Sequence, residues 1–182
     1  MFEPENSSKM AKLRKFSGYK KIERPYTRKS KYRAKSYVRS SPPSRIVRFD
    51  MGNAQREFPI EVSLRVKSPI QIRDNALESA RQSSNRVLEK ALGKEAYHLK
   101  IRKYPHHYLR ENPLASGAGA DRMSTGMKKS FGKVIGCAAQ YKEGEVVFSV
   151  RVEKTGIDSA KVAMNRAKNK LPVGCSVAIV EL

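Results

Sequence analysis

The segment from Lys9 to Arg48 places the strongest limit on what this chain can fold into. It contains 15 lysines and arginines but a single acidic residue, Glu23, and few aliphatic side chains. Because so many like charges cannot be buried together, the segment cannot form a hydrophobic core by itself. We therefore predict a disordered lead at residues 1–10, an extended basic arm at residues 11–58 and one globular domain at residues 59–182.

The composition of the whole chain indicates the class of its partner. Its 182 residues include 38 lysines and arginines against 17 aspartates and glutamates, a formal net charge of +21. Such an excess of positive charge needs a polyanion nearby, and nucleic acid is the common one. No apolar run approaches the roughly 18 residues of a membrane span, so we expect no membrane partner.

Aromatic residues interrupt the basic arm. Phe16, Tyr19, Tyr26, Tyr32 and Tyr37 are interspersed among its cations. Because cations release counterions from phosphates and aromatic rings stack on unpaired bases, this pattern is typical of an arm that wraps folded RNA. A solvated basic tail or a nuclear-type address is the alternative interpretation.

The domain that follows the arm has the periodicity of an α+β fold. Alternation of apolar and polar residues predicts five strands, at residues 60–67, 97–102, 133–141, 146–152 and 175–180. A turn containing Gly144 should join the third and fourth strands as a hairpin. Helical spacing predicts two amphipathic helices, capped by Asp74 and Asp158. This order predicts an α+β sandwich with two helices packed on one face of a mixed sheet.

Residues 109–131 form one long segment without periodicity, and loops of this length are usually functional or disordered. Gly126 is not followed by the Lys-Ser/Thr pair of a phosphate-binding loop. Gly117 and Gly119 lack the third glycine of the dinucleotide fingerprint. The segment is therefore interpreted as a flexible loop with basic ends.

The histidines and cysteines are the remaining candidates for chemistry. Three histidines lie between positions 98 and 107, without a cysteine or carboxylate at a workable metal-ligand spacing and without a nucleophile on a sharp turn. RNA contact or packing is the favoured interpretation, with metal binding and catalysis as alternatives. Cys137 and Cys175 stand far apart in apolar surroundings, which predicts buried free thiols. We expect no catalytic residue, no metal and no cofactor.

Ordered motifs give the chain a family resemblance. They lie at residues 24–28 (RPYTR), 79–81 (SAR), 85–86 (NR), 103–106 (KYPH), 109–112 (LREN), 117–122 (GAGADR), 125–127 (TGM) and 131–133 (FGK). From Arg24 to Leu182 the chain resembles the large-subunit ribosomal protein family called sixteen in bacteria and ten-e in archaea and eukaryotes. Its intact GAGADR segment is similar to the archaeal and eukaryotic branch.

The resemblance implies a fold, a role and partners. It implies an α/β-hammerhead-like domain with a structural, non-catalytic role in the large subunit of cytoplasmic ribosomes, beside the aminoacyl-tRNA site. The implied partners are large-subunit ribosomal RNA, tRNA, neighbouring ribosomal proteins and assembly factors, with the 109–131 loop pointing towards the peptidyl-transferase region. An RNA-modifying factor and a free-standing or chromatin-like nucleic-acid binder are the rival interpretations.

Two sets of residues carry the expected contacts. RNA contacts are expected from residues of the arm and from mostly basic positions of the domain, namely Lys12, Arg14, Lys15, Arg24, Tyr26, Arg28, Lys29, Lys31, Arg33, Lys35, Arg39, Arg45, Arg48, Arg81, Arg86, Lys103, His106, Arg110, Lys128, Lys129 and Lys133. The tRNA-proximal part of the loop is expected to comprise Ser116, Gly117, Ala118, Gly119, Ala120, Asp121 and Arg122.

Overall fold

A computed structural model of the chain describes residues 15–22, 32–35, 42–112, 114, 117–119, 122, 124, 126–127 and 132–182. The predicted lead at residues 1–10 lies outside the described residues. The eight described strands are β1 Asp50–Gly52, β2 Ile60–Val66, β3 Ile70–Arg73, β4 Tyr97–Ile101, β5 His107–Glu111, β6 Lys133–Tyr141, β7 Val146–Val152 and β8 Cys175–Glu181. The two described helices are α1 Asp74–Leu92 and α2 Ile157–Lys168, and short 3-10 turns lie at Phe16–Gly18, Arg33–Lys35 and Lys154–Gly156.

The described strands form two antiparallel sheets. One has five strands in the order β1-β4-β7-β2-β8, and the other has three in the order β3-β6-β5. Every pairing between described strands is antiparallel. The predicted α+β class is confirmed, but the expected mixed sheet is replaced by these two antiparallel sheets. In the chain, α1 connects β3 to β4 and α2 connects β7 to β8. Neither helix therefore connects two strands that pair in parallel.

The predicted hairpin of β6 with β7 is wrong. β6 pairs with β3 and β5, whereas β7 pairs with β2 and β4 in the other sheet. The turn between them is held against the end of β2, because Gly144 N–H donates to the Val66 carbonyl at 2.9 Å and Val66 N–H donates to the Glu145 carbonyl at 3.1 Å. The turn therefore passes the chain from one sheet to the other.

Strand β2 follows the predicted alternation. Ile60, Val62, Leu64 and Val66 are each no more than 2% exposed and lie in the main core. β2 is flanked on both edges, by β7 and β8. Ser63, on the opposite face of the pleat, is also buried. The strand therefore contributes nearly its whole length to the interior.

Helix α1 buries one face in the interior. Leu77, Ala80, Ser84 and Leu88 are fully buried. The helix ends at Gly93, whose φ of 79° is left-handed and readily adopted only by glycine. Asp74 is the first helical residue rather than the cap, a shift of one position.

Helix α2 lies against α1 and over β2. Ala160, Ala163, Met164 and Ala167 form its buried face. Asp158 does not cap it: the helix begins at Ile157, after a 3-10 turn, so Asp158 lies inside the first turn with an exposed side chain. A carboxylate there still interacts favourably with the helix dipole.

The structure extends the domain backwards into residues assigned to the arm. β1 pairs with β4, and Ile46, Met51 and Phe58 are 6%, 7% and 4% exposed. Residues 46–58 therefore bury apolar surface that would otherwise stay in water. The last part of the segment predicted as arm thus packs with the domain.

Candidate nucleic-acid interface

Eight of the basic residues expected to bind nucleic acid have described and exposed side chains. They are Lys15, Lys35, Arg45, Arg48, Arg86, His106, Arg122 and Lys133. Arg33 begins a 3-10 turn, but its side chain lies outside the described part. Also outside the described residues are Lys12, Arg14, Arg24, Tyr26, Arg28, Lys29, Lys31, Arg39, Ser116, Ala120, Asp121, Lys128 and Lys129.

Arg81 is not exposed. It is 9% exposed, and its guanidinium Nε donates to the Glu78 carboxylate at 2.8 Å, with a second bond from the same group to the other oxygen. The hydrogen bond from Arg81 holds the pKa of Glu78 below its usual value. A buried guanidinium that is already paired in this way stabilises α1, so Arg81 does not present its charge at the surface as expected.

Lys103 and Arg110 hold the protein's own backbone. Lys103 Nζ donates to the Gln140 carbonyl at 3.0 Å and forms an ion pair with Glu145. An Arg110 guanidinium nitrogen donates to the Gly132 carbonyl at 3.0 Å, which joins the two ends of the loop. Both side chains are partly exposed, so each combines a structural contact with a positive charge at the surface.

A short piece of the basic arm is docked on the domain. Gln71 of strand β3 donates twice to it, from its backbone N–H to the Lys20 carbonyl at 3.2 Å and from its side-chain amide to the Tyr19 carbonyl at 3.3 Å. The Arg73 guanidinium lies 4.7 Å from the Tyr19 ring centroid and 5.8 Å from that of Phe16. Burial lowers the pKa of Arg73, and the cation is held in the partly apolar site by the rings.

The docked piece keeps its lysines exposed. We call residues Lys15 to Ile22 the docked arm segment. Phe16 packs against the core, whereas Lys15, Lys20 and Lys21 face solvent. Within these eight residues an aromatic side chain attaches the segment to the domain while the lysines stay in solvent. An arm that is fixed to its domain and still binds an anionic partner needs this arrangement.

A groove of about 470 Å³ opens between the docked arm segment and the strand ends of both sheets. We call it the Tyr104 groove; it is lined by Ile22, Arg102, Lys103, Tyr104, His106, His107, Gln140, Tyr141 and Lys142. Of these only Lys103 and His106 were expected to bind. The sequence KYPHH at residues 103–107 could have indicated this groove, because it places aromatic rings and cations together just after a strand.

Two pairs of rings in and beside the groove are in contact, and one ring is held neutral. The His106 and His107 rings lie 4.1 Å apart, and the Phe49 and Tyr104 rings lie 5.5 Å apart. Burial, together with the nearby His106 and Lys103, lowers the pKa of His107 to about 4. His107 is therefore uncharged at neutral pH.

The loop is described at a few positions. Gly117, Ala118, Gly119 and Arg122 are exposed, and Arg122 N–H donates to the Gly119 carbonyl at 3.1 Å in a turn. The amide of Asn112 donates to the Met127 carbonyl at 3.1 Å. These two contacts lie within the loop, and Arg122 is exposed at its described position.

The described residues hold no group of three histidine, cysteine or acidic side chains able to bind a metal ion. Cys137 and Cys175 are both buried and free, and burial raises the pKa of Cys175. A buried thiol with a raised pKa is a poor nucleophile. Within the described part of the chain, helices with the length and apolarity needed to cross a membrane are absent.

Comparison with known proteins gives consistent matches. The family model of ribosomal protein L16p/L10e matches residues 22–178. The chain is 49% identical over 144 residues to the large ribosomal subunit protein uL16 of Methanoculleus marisnigri, and equally to that of Methanospirillum hungatei, covering 79% of this chain and 85% of each relative. It is 44% identical over 168 residues to uL16 of Methanococcus aeolicus, covering 92% of this chain and 94% of the relative.

Proposed function

Because this chain belongs to the ribosomal protein L16p/L10e family, and is thus a structural constituent of the large ribosomal subunit, we propose that its basic arm holds ribosomal RNA while its 109–131 loop supports tRNA in the aminoacyl site. Large-subunit ribosomal RNA and neighbouring ribosomal proteins are its partners, and it is not an enzyme. The arm and the loop are thus assigned different RNA partners.

The docked arm segment is the observation that carries the first part. It joins the arm to β3 through Gln71 and Arg73, and it presents three lysines to solvent. The arm that continues after Ile22 adds Arg24, Arg28 and further cations. A fixed start reduces the entropy lost when such an arm settles on RNA. We therefore expect the arm to make many phosphate contacts from a starting point that is fixed on β3.

A charge-neutral variant of the arm tests this part. We expect replacement of Arg24, Arg28, Lys29 and Lys31 by glutamine to weaken binding to a large-subunit ribosomal RNA fragment. The plot of log K against log salt should become less steep, by about 0.9 for each duplex phosphate that is no longer neutralised or about 0.7 on single strands. Binding titrations over a range of salt concentrations measure both quantities.

A matched control removes the same charge elsewhere. Lys161, Arg166, Lys168 and Lys170 are exposed on or just after helix α2. Their replacement by glutamine lowers the net charge equally and should leave the salt slope nearly unchanged. Equal slopes for the two variants would mean that overall charge, rather than the arm, governs binding.

The second part concerns the loop and tRNA. The Arg110 contact with Gly132 fixes the ends of the loop, while Gly117 to Gly119 and Arg122 are exposed between them. The described loop positions contribute little to the core, so we expect that the loop can be shortened without unfolding the domain. The expected contact with assembly factors stays a prediction.

Purified mutant subunits test the loop. A chain lacking residues 116–122 should enter large subunits at normal stoichiometry, and those subunits should bind tRNA poorly and form peptide bonds slowly. Arg122→Ala should show a milder defect, and Lys170→Ala, which removes an exposed cation elsewhere, should show none. Wild-type tRNA binding in the shortened variant would remove the loop from function, and absence of the protein from the subunits would assign the loop to assembly.

A further inference from the structure

We propose that the Tyr104 groove takes one unpaired nucleobase of the large-subunit ribosomal RNA. The inference rests on the proposed function, since it needs the chain to lie on that RNA. It adds a definite site and ligand chemistry. The groove lies outside the 109–131 loop, and Ile22 is the one residue of the arm in its lining.

The size of the groove fits the ligand. Its volume of about 470 Å³ is within the roughly 300 to 1,000 Å³ of small-molecule sites, enough for a base and part of its ribose. Ile22 of the docked arm segment forms one wall of the groove. Tyr141, which is fully buried, also lines the groove. The site is therefore assembled only when the arm is docked, which links base binding to the fixed part of the arm.

The charges in the groove favour a base over a phosphate inside it. The Lys103 ammonium is paired with Glu145, and the Arg102 guanidinium donates to both Glu61 carboxylate oxygens, at 2.8 and 2.9 Å. His107, at a pKa of about 4, adds no charge at neutral pH. The combined charge of Lys103, Arg102 and His107 with their carboxylate partners is thus close to zero. The exposed Lys142 at the rim can meet the phosphate of a nucleotide whose base lies inside.

The rings in the groove supply a stacking surface. Tyr104 is 56% exposed even though its ring packs on Phe49, and an exposed aromatic ring beside cations is a platform for an unpaired base. His106 offers a second exposed ring, in contact with His107. A base inserted here would cover the exposed Tyr104 ring while the ion pairs of Lys103 and Arg102 stay intact.

The absence of tryptophan from the chain makes a direct experiment possible. Tyr104→Trp would introduce a single indole into the groove, and Val162→Trp would introduce one on the exposed surface of helix α2. The probes are a short single-stranded oligoadenylate and an abasic ribose-phosphate chain of equal length. Anisotropy of the labelled probes measures binding, and indole fluorescence reports stacking.

The expected result is strong quenching of Tyr104→Trp by the oligoadenylate but not by the abasic chain, and no quenching of Val162→Trp by either. Tyr104→Leu should lower oligoadenylate affinity about tenfold without changing the salt slope, and Tyr104→Phe should restore it. Binding without selective quenching at position 104 would overturn the groove proposal and leave RNA binding by the arm intact. Failure of the unaltered protein to bind large-subunit ribosomal RNA would overturn both.

Discussion

Arg81 and Glu78, three residues apart on helix α1, form a buried ion pair in which the guanidinium contacts both carboxylate oxygens. The pair also reaches the preceding segment: an Arg81 nitrogen lies 3.3 Å from the Met51 sulfur, and Val47 N–H donates weakly to Glu78 at 3.4 Å. It therefore ties residues 47–51 to the helix.

Removal of the cation from this pair should destabilise the domain. Arg81→Met leaves a carboxylate buried without its main partner, and we expect a decrease of about 3 kcal/mol in the free energy of unfolding, measured in urea. Arg86→Met, on the exposed face of the same helix, is the matched control and should change it by less than about 0.5 kcal/mol. Equal decreases would show that the pair has no special role.

Acid should destabilise the protein through His107. Its pKa in the folded state is about 4, below the ordinary 6.5, so the unfolded chain binds the proton more tightly. This contribution to stability is complete above about 6.5 and is lost as the pH falls towards 4. His107→Gln should therefore flatten the dependence of unfolding free energy on pH in that window. His106→Gln should change it only in part, because burial is the largest cause; identical profiles for wild type and His107→Gln would contradict the assignment.

Gly52 should tolerate no side chain. Its φ is 82°, and a Cβ there would lie 2.1 Å from the Tyr97 carbonyl oxygen in the β1–β4 pairing. Gly93 has a similar φ of 79° but open space around it. We expect Gly93→Ala to cost about 1 to 3 kcal/mol of backbone strain and Gly52→Ala to cost clearly more. Thermal unfolding of the two variants compares them directly, and equal melting temperatures would exclude the steric contribution.

The docked arm segment should open more often when its apolar anchor is removed. Phe16→Ala takes away the ring that packs on the core and beside Arg73, and we expect trypsin to cleave after Lys20 and Lys21 about tenfold faster, which corresponds to about 1.4 kcal/mol. The melting temperature of the domain should change little. Tyr32→Ala, at an exposed ring outside the segment, should leave the cleavage rate unchanged. Unchanged cleavage in Phe16→Ala would place the anchor elsewhere.

The strands that sequence analysis found are those with clear alternation. Ile60 to Val66 has one apolar face and is long enough to show it. Strand β3 was missed because its alternation of apolar and polar residues covers only four positions before helix α1 begins. β5 was missed because it begins just after Pro105 and runs into a segment without periodicity. Strands this short are too brief for their pattern to be distinguished from that of a loop.

The pairing of strands depended on contacts distant in sequence. A short turn containing Gly144 usually predicts a hairpin, but the Val66 backbone at the end of β2 captures this turn. Arg81 was expected to contact RNA, and its buried ion pair with Glu78 was not foreseen. The spacing of these two residues, three apart with opposite charge, was the signal that could have identified the pair.

The hydrogen bond from Gln71 to Lys20 also affects the free protein during its synthesis. β3 is one of the two outer strands of the three-stranded sheet, and an open strand edge is a template for aggregation with other chains. The docked arm segment occupies that edge, and since it precedes β3 in the chain it has already been synthesised when the strand emerges. A highly charged segment in that place also repels a second copy. The newly made protein thus covers this strand edge with a segment of its own before it reaches ribosomal RNA.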